Sequence, residues 1–185
     1  LSIHSRGMPN PGYKEDVKMM GDLKEMGKPV VASVAAENLE QCVRMASEIC
    51  DAGADVVELN LSCPNIVGRG QAGYDFSYSD ELLRDVRKEV KCALSVKLPP
   101  YFELSQREEM ANILLKRKID AAVLVNSPGN CLVVDVKTQA AVIRPKHGLG
   151  GLGGAVIKPI ALANIWSFYN IMKGKCAIVG AGGIE

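Results

Sequence analysis

Three short stretches combine residue types that do chemistry more readily than they fold. The first is Asn60-Leu61-Ser62-Cys63-Pro64-Asn65, in which two asparagines flank a cysteine. An asparagine offers a donor and an acceptor, suited to imide or carboxylate edges. A thiolate in a loop can act as base or nucleophile, although its ordinary pKa of ~8.5 is high for a base at neutral pH. On its own Cys63 reads better as a small core hydrophobe, and the Asn-x-x-Cys-Pro-Asn context tips it the other way. The second stretch, Val96-Lys97-Leu98-Pro99-Pro100-Tyr101-Phe102, ends an apolar run on an ammonium that needs a partner, either an anionic or electron-rich ligand atom or a neighbouring carboxylate. The third is Asn126-Ser127, with Gly129-Asn130 behind it. These short polar side chains bind ligand or simply cap a loop, and in isolation the cap is the better reading.

Two glycine clusters add a fourth and a fifth feature, Gly148-Leu149-Gly150-Gly151-Leu152-Gly153-Gly154 and Gly180-Ala181-Gly182-Gly183. The first precedes a helical segment and the second follows a strand-like one. Backbone N–H groups in such loops cradle phosphate, though flexible loops produce the same composition. No GxGxxG follows the first strand, which speaks against a Rossmann dinucleotide site.

All of these features fall at the ends of short apolar segments. Strands are expected at Val30–Val34, Asp55–Leu61, Ala93–Val96, Ala121–Val125 and Cys176–Val179. Helices are expected at 37–52, at about 78–91, from a capping box at Ser105-Gln106-Arg107-Glu108, and from Pro159 to about Met172. Polar–apolar alternation around Leu132–Asp135 and Ala141–Ile143 reads as a hairpin. The order is the βαβ rhythm of a parallel α/β protein, and in such folds ligands bind at the carboxyl edge of the strands.

Composition bounds the function. The chain has 185 residues, 48% hydrophobic and 23% charged, with a net charge of +1. Such a balance argues against a nucleic-acid surface or a polybasic membrane patch. No apolar run is long enough to span a bilayer, and no apolar signal core opens the chain. Six cysteines without a CxxC pair, and two histidines, His4 and His147, make a metal site improbable; reduced cytosolic thiols are the expectation. At 185 residues the chain is also shorter than the ~250 typical of a complete (β/α)₈ barrel.

The five motifs, in this order and spacing, resemble dihydroorotate dehydrogenase across nearly the whole chain. Pro99-Pro100-Tyr101-Phe102 and Tyr74-Asp75-Phe76 further resemble its soluble, homodimeric, fumarate-reducing branch. The resemblance implies an FMN-containing TIM barrel that oxidises dihydroorotate to orotate in pyrimidine synthesis. Residues 1–185 would be a single domain covering a central portion of that barrel, lacking its amino- and carboxyl-terminal parts. Carried over by motif, Cys63 is the base that takes the C5 proton; the membrane-bound branch has serine there. Asn60, Asn65, Asn126 and Ser127 hold the substrate, and Lys97 sits at the flavin N1/O2 edge. Asn60 and Val125 also line the cofactor, and Gly153, Gly154, Gly182 and Gly183 hold its phosphate. The stretch from Pro64 to about Gly73 is the lid. Near the amino end, Ser2-Ile3-His4-Ser5-Arg6-Gly7-Met8-Pro9-Asn10 resembles the family's substrate loop SINSMGLPN. It contributes His4, Gly7 and Met8 to substrate binding, with His4 in place of asparagine, Arg6 of methionine and Met8 of leucine. The implied setting is a cytoplasmic homodimer with fumarate as acceptor. Competing readings are an NAD-linked dihydroorotate dehydrogenase subunit, a dihydropyrimidine dehydrogenase-like barrel, and a non-catalytic phosphate-binding barrel fragment.

Overall fold

The computed structural model describes residues 1–5, 10–62 and 70–184. Its elements in chain order are β1 (Ser2–His4), α1 (Tyr13–Glu25), β2 (Val31–Val34), α2 (Leu39–Asp51), β3 (Val56–Asn60), α3 (Phe76–Glu89) and β4 (Ala93–Lys97). These are followed by α4 (Leu104–Lys116), β5 (Ala121–Leu124), β6 (Cys131–Leu132), β7 (Val134–Asp135), β8 (Ala140–Ala141), β9 (Leu149–Gly153), α5 (Lys158–Met172) and β10 (Ala177–Gly180).

Five parallel strands form the main sheet in the order β10-β5-β4-β3-β2, and α1 to α5 pack side by side in chain order. Alternation along the strands explains the layering. Val57, Leu59, Leu94, Val96, Ala122 and Leu124 are buried in the core that includes Leu82, Leu83, Met110 and Leu114 from the helices. Val31, Ser33, Glu58, Lys97 and Val179 stand at the opposite phase of the same strands and are less buried. Parallel strands with every helix packed in sequence make an arc of a (β/α) barrel.

The five expected strands and four expected helices are all present, with ends shifted by one or two residues. The hairpin is present as β7 against β8. Three features differ. The capping box of α4 uses Glu103 and Gln106, not the 105–108 segment, because the helix starts two residues earlier than the serine pattern suggests. The first glycine cluster is not a loop: Leu149–Gly153 is β9, antiparallel to both β1 and β6. Its glycines admit the neighbouring backbone, since a Cβ on Gly150 would lie 2.6 Å from the His4 carbonyl oxygen. Helix α1 is additional, with Gly12 at its N-cap and no side chain closing that end.

Two polar contacts fix the helical layer. Asn164 in α5 is fully buried; its Oδ1 accepts from the Tyr101 N–H at 3.0 Å and its Nδ2 donates to the Tyr101 carbonyl at 3.1 Å. Between α3 and α4, Asp80 accepts from Arg117 Nε and Nη2, both at 2.7 Å, and from Lys116 at 3.0 Å. The Arg117 hydrogen bond, ahead of that from Lys116, holds the Asp80 carboxyl at about 2.

Asn164→Ala strands the buried Tyr101 N–H, while the Tyr101 carbonyl keeps Arg107 Nε at 3.0 Å, so it should cost about 1–3 kcal/mol and lower Tm by roughly 2–10 °C, read by urea and thermal unfolding. Asp80 binds its proton less readily in the folded chain than at its unfolded value of about 4. Its stabilisation is therefore complete above pH ~4 and is lost as pH falls toward about 2. The stability gap between the parent chain and Asp80→Asn should be widest at pH 7 and clearly narrowed at pH 2.5.

Candidate active site

The sheet brings Asn60, Lys97 and Asn126 to one edge by register. Asn60 and Lys97 end β3 and β4 as direct neighbours, and Lys97 faces Val123 of β5. The loops leaving these strands are tied in sequence: Leu61 N–H donates to the Lys97 carbonyl at 3.0 Å, and Asn126 N–H to the Leu98 carbonyl at 2.8 Å. Asn60 Oδ1 accepts from Ser62 N–H at 3.1 Å and from Asn126 Nδ2 at 3.4 Å. Asn126 Oδ1 accepts in turn from Ser127 N–H at 3.0 Å, and Ser127 Oγ lies 3.3 Å from His4 Nε2. The result is one row of polar side chains, Lys97, Asn60, Asn126, Ser127 and His4, across the carboxyl ends of three strands and the tip of β1.

Lys97 is half-buried, and none of the ion pairs among the described residues involves it. Glu58 stands on the same face of the neighbouring strand, but it accepts from Ser33 Oγ at 2.9 Å, and no carboxylate among the described residues lies within 4.0 Å of the Lys97 ammonium. A cation held without a counter-charge at a strand end is suited to an anionic or electron-rich ligand atom.

The two glycine clusters meet beside this row. Ala181 N–H donates to the Leu124 carbonyl at 2.6 Å and Val125 N–H to the Ala181 carbonyl at 2.8 Å, which fastens the loop after β10 to the end of β5. Val125 is buried, so it contributes packing and backbone rather than a polar side chain. Gly183 has φ +70°, and a Cβ there would lie 2.5 Å from the Gly154 oxygen and 2.9 Å from Ala155 Cα. Gly182 lies against Ile157 and Ala161, at the start of α5. Gly153 lies opposite Ser2, with room for no Cβ closer than 2.7 Å to Ser2 Oγ. Gly154 and Gly183 thus meet backbone against backbone ahead of the α5 amino end, with the expected residues Gly153 and Gly182 next to them in the chain.

Cys63 and Asn65 lie outside the described residues, as do Gly7 and Met8. Just beyond the first of these stretches, Gln71 accepts from Ser62 Oγ at 3.5 Å, and Tyr74 and Tyr101 anchor the chain. Tyr74 OH donates to the Pro100 carbonyl and Tyr101 OH to the Gly73 carbonyl, each at 2.7 Å. Burial pushes both phenols above their ordinary pKa, Tyr101 the further. Residue-type reading missed Gln71 and these two anchors, and it missed Gly151, where a Cβ would lie 2.8 Å from Ser127 Oγ and 3.0 Å from His4 Nε2. Only the proximity of Gln71 to the Asn-x-x-Cys-Pro-Asn stretch could have pointed to it.

The arrangement can hold a flat, polar, anionic small molecule over the asparagine row, with a phosphate group within reach of the glycine contact. Comparison with known proteins agrees in kind. The family model described as "Dihydroorotate dehydrogenase" matches residues 2–185. A Kluyveromyces lactis protein named dihydroorotate dehydrogenase (fumarate) is 42% identical over 188 aligned residues, covering 100% of this chain and 60% of the relative. A Lactococcus lactis protein, dihydroorotate dehydrogenase A (fumarate), is 41% identical with the same coverage. The chain thus spans about 60% of the length of these curated relatives. The crystal structure of DHODH in complex with ferulenol from Eimeria tenella superposes with a TM-score of 0.68 at 19% identity, over 94% of this chain and 51% of that one, which supports the barrel fold. With the family model matched over residues 2–185, and with the parallel sheet, the asparagine row and the paired glycine loops in place, the chain belongs to the dihydroorotate dehydrogenase family.

Proposed function

We propose that this chain carries the FMN and substrate site of a soluble dihydroorotate dehydrogenase that oxidises dihydroorotate to orotate for pyrimidine synthesis. The observation that carries the reading is the row Lys97–Asn60–Asn126–Ser127 at the strand ends, beside the contact between Gly183 and Gly154. The residues fit FMN on two counts. A Cβ on Gly183 would fill the space against Gly154, next to a helix amino end, and Lys97 offers a cation that no ion pair among the described residues engages. Gly153, Gly154, Gly182 and Gly183 would hold the phosphate, and Asn60, Lys97 and Val125 would line the ring system.

When bound, FMN supplies the hydride acceptor for C6 of dihydroorotate. The chain's own residues do the rest. Asn60, Asn65, Asn126 and Ser127 present amide and hydroxyl groups that orient the ring and carboxylate of the substrate, with His4, Gly7 and Met8 as further substrate contacts. Cys63, as thiolate, takes the proton from C5. A thiol is a modest base, so its contribution depends on a held geometry and on exclusion of water. Lys97 places a positive charge where negative charge develops.

Residues 1–185 act as one unit of the barrel. Fumarate is the final acceptor, supported by the name that the relatives carry. Among the described residues no helix is long and apolar enough to cross a membrane. A cytoplasmic setting and a homodimer complete the reading. The 131–143 segment supports the latter, with Leu132 and Val136 54% and 87% exposed on it.

An anaerobic absorption spectrum tests the function directly. Bound flavin should bleach on addition of dihydroorotate and recover with fumarate; flavin that stays oxidised would remove dihydroorotate as substrate. Cys63→Ser should retain flavin but slow bleaching by about 10²–10⁴-fold near neutral pH. Lys97→Ala should weaken FMN binding at least about tenfold in a fluorescence titration while leaving thermal stability unchanged or slightly raised, because it removes a half-buried unpaired cation. Gly183→Ala should weaken FMN binding as strongly and also lower Tm, since the added methyl meets Gly154 backbone.

A further inference from the structure

Away from the site, at the opposite ends of the strands, two thiols face each other. Cys50 lies in the last turn of α2, and Cys92 is in the bend that leads into β4. The Cys92 N–H donates to Cys50 Sγ at 3.0 Å. Bond lengths then limit the Cα–Cα separation to at most ~7 Å, at the upper end of the range that a disulfide spans. The position is held from both sides: Arg87 Nη2 donates to the Cys92 carbonyl at 3.1 Å, and both cysteines are half-buried against the core.

We infer that Cys50 and Cys92 form a reversible disulfide, made by exchange with a small-molecule disulfide, that staples α2 to the amino end of β4. The steps balance. The Cys50 thiolate attacks one sulfur of the oxidant RSSR, displacing RS⁻, which takes a proton. The Cys92 thiolate then attacks the Cys50 sulfur of the mixed disulfide and displaces the second RS⁻. The chain loses two thiol hydrogens and two electrons, and RSSR becomes two RSH. Burial, and next the Cys50 contact, push the Cys92 thiol up to about 12, so the closing step is slow and the reduced form persists in a reducing compartment. The two residues are 42 apart in sequence, so closing the link removes much freedom from the unfolded chain. The bond forms without moving the strand ends that carry Asn60 and Lys97.

The test uses the native, reduced protein incubated with excess oxidised glutathione. It is then digested with trypsin and Asp-N without reduction, which separates Cys50 from both Cys42 and Cys63. The expected product is peptide 45–50 joined to peptide 92–97, lighter by two hydrogens than the two thiol peptides together, with Tm raised by about 5 °C or more. Cys50→Ser and, independently, Cys92→Ser should abolish both the joined peptide and the Tm gain, leaving a glutathione adduct on the remaining thiol. Cys176→Ser should change neither. Cys50 and Cys92 still alkylatable after oxidation, a link to any other cysteine, or a lower Tm on oxidation would each overturn the inference. None of these readouts depends on flavin or substrate, so they fail or succeed independently of the proposed activity.

Discussion

The register of the parallel ladder is the constraint on which the rest of the molecule depends. Side chains alternate with a period of two, so a slip of one residue between β3 and β4 would send Lys97 into the helical layer and Leu98 into the barrel interior. The observed pairing, Leu59 with Val96 and Asn60 with Lys97, fixes both outcomes at once: the apolar pair lies in the core and the polar pair at the strand ends. Leu98 and Leu61, both buried, pin the loops immediately beyond, and their backbone groups carry the register one step further, to Asn126. The same apolar burial that drives folding thus places the polar row.

Close backbone approach is the second constraint. The loop after β10 and the segment ahead of α5 can touch only because Gly183 lacks a side chain, and β9 reaches β1 only because Gly150 does. Gly183 therefore serves the fold directly, and a side chain there would meet the Gly154 backbone.

Much of this was legible in the residues, and the exceptions have physical reasons. Strands β2 to β5 and β10 declared themselves because short β-branched runs with turn residues on either side have few alternative readings. Helix α1 did not: Tyr13 and Val17 are only half-buried and Met20 alone is fully buried, while Met19 and Leu23 are exposed, so no clean apolar stripe marks it. Its amino end also lacks a side-chain cap. Strand β9 was hidden because glycine runs predict loops, and only the partner strands, distant in sequence, convert one into a ladder. For the site, residue types at strand ends located Asn60, Lys97, Asn126 and Ser127. Their mutual contacts, the place of Gly151 between Ser127 and His4, and the lack of an ion pair at Lys97 among the described residues are tertiary facts that no local pattern encodes.

The two ends of the sheet divide the work. At the amino ends, aspartates close the structure on itself. Asp55 accepts from Lys24 and from the Val30 N–H, both at 2.8 Å, and Asp120 accepts from Arg87 and the Leu94 N–H, at 2.9 and 2.8 Å, while its carbonyl takes the Ala177 N–H at 2.9 Å. There each polar group named has its partner within the fold, and the Cys50–Cys92 contact belongs to the same layer. At the carboxyl ends the accounting differs: Lys97 has no counter-charge among the described residues, and the asparagines bond chiefly to each other and to their own loop, with long contacts that a ligand can replace. A polar group satisfied by the fold gains little by meeting a ligand, whereas one held in place but under-used gains its full interaction. That asymmetry assigns Asp55 and Asp120 to the stability of the sheet and leaves Lys97 as the group proposed for binding, although all three stand at the ends of the same sheet.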